Sequence, residues 1–127
     1  MGTLYRNNIK YGGGGSGGSI FHNYSTEEKV VGKWIDGETL YEKTINVDLS
    51  TQHSSSYNPE HGIPNVNQIL NIDGFVTKDG HGYDSINSYA SPSWFIYVGC
   101  GTKYLDIINA GVIGTAYLTL QYTKTTD

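Results

Sequence analysis

Cutting a glycan requires two carboxylates facing one bond, or a nucleophile beside a base, and holding a metal requires several converging ligands. The chain offers twelve acidic residues, four histidines and one cysteine for such roles. Glu42 and Asp48 fall on one face of an extended segment. Six residues at about 3.3 Å each hold them roughly 20 Å apart, too far to act as an acid/base pair. Asp79 and Asp84 flank a glycine-containing stretch and can approach one another, although a solvated loop explains them equally well. His22, His53, His61 and His81 all fall in polar stretches, without the i, i+4 helical spacing or the cysteine pair of a zinc site. In a symmetric trimer, one histidine per chain placed on the axis would supply three ligands, with His53, His61 and His81 as candidates. Cys100, in a Gly-Cys-Gly turn, has no evident base. The glycine-rich stretch near the N-terminus lacks the Lys-Ser or Lys-Thr of a phosphate loop. The expectation is a protein that is not an enzyme, with no cofactor and no resident metal.

Binding is the chemistry left. The stretch GHGYDSINSYASPS, from Gly80 to Ser93, combines Tyr83 and Tyr89, which can stack on a sugar face, with Asp84, Asn87 and Ser88, which can exchange hydrogen bonds with hydroxyls. A second polar stretch, Thr51 to Pro64, adds His53, Tyr57, Asn58 and His61. The candidate ligand-binding set is Tyr83, Asp84, Asn87, Tyr89, Tyr57 and His81, against the alternative of two ordinary solvated loops. Trp34 and Trp94, each in or beside a strand, are expected to pack in the core rather than to meet a ligand.

The elements that must position these groups read as strands. In KWIDGETLYEKTINVDL (Lys33 to Leu49), Asp36-Gly37 separates two β-rich segments and predicts a type I′ hairpin turn. After it Tyr41, Ile45, Val47 and Leu49 alternate with Glu42, Thr44, Asn46 and Asp48, the pattern of a strand with one wet face. This hairpin is expected to be framework. Further strands are expected over Asn67 to Thr77, Trp94 to Val98, Tyr104 to Asn109 and Ala116 to Thr123, with Thr51 to Pro64 and Gly80 to Ser93 as long loops and Gly99 to Thr102 as a hairpin turn. Ser25-Thr26-Glu27-Glu28 has capping-box spacing, enough for one helical turn at most. Sustained 3.6-residue periodicity is missing. The fold class is therefore all-β: a small antiparallel sandwich, jelly-roll-like or an open barrel.

The segment YGGGGSGGS (Tyr11 to Ser19) reads as a flexible linker, so residues 1–19 form an arm and tether and residues 20–127 the sandwich domain. Net charge is −4 with 16% charged residues and no basic run, which argues against nucleic acid as a partner. No window of eighteen apolar residues exists to cross a membrane, and MGTLYRNNIKYGGGG has no apolar stretch of the kind a secretory signal carries. Eleven tyrosines bring aromatic content to 13%, which suits half-buried strands and binding surfaces.

Three stretches, YSTEEKVVGKWIDGETLYEKTI (Tyr24 to Ile45), SYASPSWFIYVG (Ser88 to Gly99) and AYLTLQYTKTTD (Ala116 to Asp127), carry a resemblance. Together they resemble the small C-terminal β-domain of tail-fibre and baseplate proteins in phages and prophages of Gram-positive, often gut-dwelling, bacteria. The opening LYRNNIKYGGGGSGG is similar to the start of short phage structural proteins of that kind. The resemblance implies a virion component made in the bacterial cytoplasm, a homotrimer joined to other tail or baseplate proteins, whose tip recognises a bacterial surface glycan or protein. It carries over no specific binding residue. A purely structural trimerisation module is the alternative expectation.

Overall fold

The structure, a computed structural model, describes residues 22–78 and 81–125, and of residues 81 and 82 the backbone only. The arm and linker expected over residues 1–19 lie outside the described residues, as do Asp79 and the His81 side chain. Among the described residues the chain forms nine strands and no helix. They are β1 (Lys29–Lys33), β2 (Thr39–Leu49), β3 (His53–Tyr57), β4 (Val66–Lys78), β5 (His81–Ser85), β6 (Ser88–Ser91), β7 (Trp94–Cys100), β8 (Leu105–Ala110) and β9 (Gly114–Lys124). The strands build two antiparallel sheets, ordered β1-β2-β9-β4-β5 and β3-β8-β7-β6, packed as a sandwich. The all-β, antiparallel expectation is thereby met.

Alternation drives this arrangement. In β9, Ala116, Leu118, Leu120 and Tyr122 are fully buried between the sheets, while Tyr117, Thr119 and Gln121 point the other way. β9 pairs with β2 from Tyr41↔Tyr122 to Leu49↔Gly114, and with β4 from Val66↔Lys124 to Thr77↔Thr115, so the last strand is the centre of its sheet. Val47 and Leu49 from β2, Val76 from β4, Ile96 and Val98 from β7, and Leu105 and Ile107 from β8 complete the core. Burying such a side chain removes roughly 1.5–3 kcal/mol worth of apolar exposure, which makes this layer the main source of stability.

Several local expectations are corrected. Both long loops contain strands: β3 lies within Thr51 to Pro64, and β5 and β6 lie within Gly80 to Ser93. Gly99 and Cys100 belong to β7 rather than to a turn. At the first hairpin Gly37 alone takes positive φ (+90°), so the turn is not type I′, which needs two such residues. Instead the Gly37 N–H donates to the Trp34 carbonyl at 2.9 Å and the Trp34 N–H to the Glu38 carbonyl at 2.8 Å, closing a three-residue loop. Ser25 starts no helix; its Oγ accepts the Glu27 N–H at 3.0 Å across a bend at Thr26–Glu27 ahead of β1. Neither tryptophan joins the core: Trp34 is half-buried beside the hairpin loop and Trp94 is exposed.

Two buried polar centres hold the sandwich ends. Asn109 is wholly buried on β8. Its Oδ1 accepts the His53 backbone N–H at 3.0 Å and the His53 Nδ1–H at 2.9 Å. Its Nδ2 donates to the carbonyls of Thr51 (3.2 Å) and Val112 (2.8 Å). His61, also buried, donates from Nε2 to the Gly101 carbonyl and accepts the Ile63 N–H at Nδ1, each at 3.1 Å. With every polar atom satisfied, each centre fixes its loops at little desolvation cost.

Candidate ligand-binding groove on the five-stranded sheet

Alternation that fills the core necessarily pushes the intervening residues to the outer faces. On the outer face of β2, β9, β4 and β5 those residues line an open groove of ≈ 860 Å³. Three cross-strand rows cross its floor. Glu42 faces Gln121, which faces Asn71; Thr44 faces Thr119, which faces Asp73; and Tyr117 faces Phe75, which faces Ser85. Tyr83 of β5 and the segment His22–Tyr24 complete the lining.

One end is aromatic. Phe75 stacks on Tyr117 with ring centroids 5.5 Å apart and an angle of 23°, and Tyr83 meets Phe75 edge-on at 5.9 Å. Tyr83 remains 70% exposed, so much of its surface is open to a ligand. The close approach of β4 and β9 beneath this cluster depends on Gly74, where an added Cβ would stand 2.1 Å from the Tyr117 carbonyl oxygen.

The other end is polar and acidic. Glu42, only 2% exposed, accepts from Gln121 Nε2 at 3.0 Å and contacts His22 Nε2 at 2.7 Å. The outer face of β2 is therefore not simply wet, as its alternation implies; the His22–Tyr24 segment folds over Glu42, with the two rings edge-on at 4.4 Å. Thr44 and Thr119 share a hydroxyl–hydroxyl bond of 2.8 Å. Asp73, exposed, accepts the Gly74 N–H at 2.8 Å.

Of the five expected ligand-binding residues whose side chains are described, only Tyr83 lies in this groove. Asp84 accepts the Trp94 indole N–H at 3.2 Å, a bond from β5 to β7 in the other sheet. Asn87, at φ +60°, clamps the β5–β6 turn to β7: its Oδ1 accepts the Val98 N–H at 2.8 Å and its Nδ2 donates to the Val98 carbonyl at 3.2 Å. Tyr89 stacks on Phe95 in the four-stranded sheet, and Tyr57 stacks on His53 at 4.1 Å and packs against the core. These five do not converge, because β5 and β6 belong to different sheets. As ligand contacts, sequence reasoning passed over Phe75, Tyr117, Asp73 and Gln121, and it weighed Glu42 only as a catalytic acid. Their signal was present: Glu42-x-Thr44, Asp73-x-Phe75 and Tyr117-x-Thr119-x-Gln121 repeat an outward polar or aromatic pattern on three strands, and only the register brings them together.

No group of three or more His, Cys, Asp or Glu side chains converges as a metal site among the described residues. His61 has both ring nitrogens bonded inside its own chain, which removes it as a ligand on a trimer axis, whereas the His53 ring is engaged there through Nδ1. Burial pushes the Cys100 thiol up to about 11, so it stays protonated at neutral pH. At the far end of the inner face, burial raises the Glu28 carboxyl, but hydrogen bonds from Tyr122 (2.6 Å) and Lys124 (2.9 Å) outweigh that and leave it below its ordinary value. Burial, and then Glu28, push the Tyr122 hydroxyl well above its usual range.

Comparison of the chain with protein-family models, with curated proteins and with solved structures finds no match.

Proposed function

We propose that this chain is a non-catalytic attachment domain of a phage tail, which binds a bacterial surface glycan through the outer face of its five-stranded sheet. The observation that carries the reading is the groove itself, where Phe75, Tyr117 and Tyr83 stand beside the Thr44–Thr119 hydroxyl pair, Asn71, Asp73 and Gln121. Sugar rings present an apolar C–H face and a rim of hydroxyls. An aromatic platform next to amide, hydroxyl and carboxylate groups matches both. The resemblance of the three strand-bearing stretches to phage tail β-domains supplies the biological setting: a virion component, trimeric, joined to other tail proteins. Three copies of a weak site gain affinity through effective concentration without any new contact.

The rival reading, a trimerisation module with no ligand of its own, draws on the other sheet. There the outer face of β6, β7 and β8 carries the stacked pair Tyr89 and Phe95, the exposed Tyr97 and, opposite it, Ile108. Adsorption to host cells separates the two. Tyr83→Ala and Tyr117→Ala should each weaken glycan binding about tenfold, near the 1.4 kcal/mol lost with one stacked ring, at an unchanged fold by circular dichroism. Full adsorption by both variants would leave only the structural reading.

A further inference from the structure

The charge of the groove is one-sided. Among the described residues its lining includes two carboxylates, Glu42 and Asp73, and neither a lysine nor an arginine. His22 is the one basic side chain among these described residues, and it stands 2.7 Å from Glu42. A proton on His22 would be offset by that carboxylate, leaving Asp73 uncompensated; without the proton both acids count. In either state the groove is negative, on a chain whose net charge is already −4. Asp73 is exposed on the row between the acidic and aromatic ends, two residues along β4 from Phe75 and so about 7 Å from it by strand rise. At about 7 Å two like charges repel by roughly thermal energy in water and by more at the lower effective dielectric beside a protein surface.

We infer that the glycan taken by this groove is neutral or amine-bearing, and that Asp73 and Glu42 exclude polymers carrying phosphate, sulfate or uronate groups. The inference rests on the glycan-binding reading and adds to it the charge class of the ligand. Charges of one sign in a shaped cleft select against like-charged partners at encounter and again in the bound state. Amine-bearing sugars gain from Asp73, whose carboxylate is exposed to meet an ammonium group.

The test is a glycan array at physiological salt, with glycans grouped as neutral, amine-bearing, and anionic. The full chain is expected to bind only in the first two groups. On the same array Asp73→Asn should raise anionic signals relative to neutral ones about tenfold. Asp48→Asn, an exposed carboxylate on β2 outside the groove, should leave that ratio where it was. Anionic glycans among the best binders of the unaltered chain would overturn the inference while keeping the glycan reading. An anionic-to-neutral ratio that Asp73→Asn does not move would remove Asp73 as the discriminating group. A blank array with correctly folded protein would overturn both readings together.

Discussion

Single residues in this protein divide into those that satisfy buried polarity and those left facing solvent, and the division predicts what substitution does. Asn109 answers four polar groups at once, so Asn109→Leu strands the His53 N–H and the Val112 carbonyl in a place with little water. A loss of roughly 2–4 kcal/mol in urea unfolding is expected, and a loss under 1 kcal/mol would mean that water replaces the amide. Glu28 gives the pH dependence. Its carboxyl lies below its ordinary 4.5 in the folded chain, so the folded state holds fewer protons than the unfolded state in that range. The contribution is complete above about pH 4.5 and is lost as pH falls through the folded value. The Tm difference between the unaltered protein and Glu28→Gln should therefore shrink on acidification below pH 4.5. A gap that stays constant down to pH 3 would show that folding does not lower the Glu28 carboxyl.

At the scale of elements, two glycines separate two kinds of constraint. Gly37 has open space around it but a φ of +90°, whereas a side chain at Gly74 collides with the backbone of β9. Gly37→Val should cost about 1–2 kcal/mol through backbone strain alone and leave binding intact. Gly74→Ala should cost more, and it should also weaken binding, because separating β4 from β9 moves Phe75 away from Tyr117. Equal losses in thermal melts, with binding untouched in both, would sink that distinction. The strands with strong alternation, β2, β4, β7, β8 and β9, were legible in the sequence because burial on one side imposes a period of two. The polar edge strands were not. HSSSY makes β3 with only His53 and Tyr57 turned inward, and β5 and β6 are short, in keeping with edges that must not recruit other chains. The groove was hidden for a related reason: each of its residues looks solvated within its own strand, and its meaning lies in the register between strands.

For the whole molecule, the decisive measurement is mass in solution, by light scattering or native mass spectrometry. The phage-tail reading expects a homotrimer, and Tyr97→Glu on the outer face of the four-stranded sheet should shift it towards monomer if that face is the contact. A monomer at every concentration would leave the groove as the site of a free-standing binding module. A different consequence comes from the placement of β9 between β2 and β4. During synthesis on the ribosome, β2 and β4 emerge early and have no way to join, because the strand that bridges them is still unmade. The nascent chain must carry Val47, Leu49 and Val76 uncovered until β9 leaves the exit tunnel, so closure comes late and all at once. A cell making this protein therefore meets its stickiest form in the interval before β9 emerges, when chaperones or sister chains are best placed to intercept it.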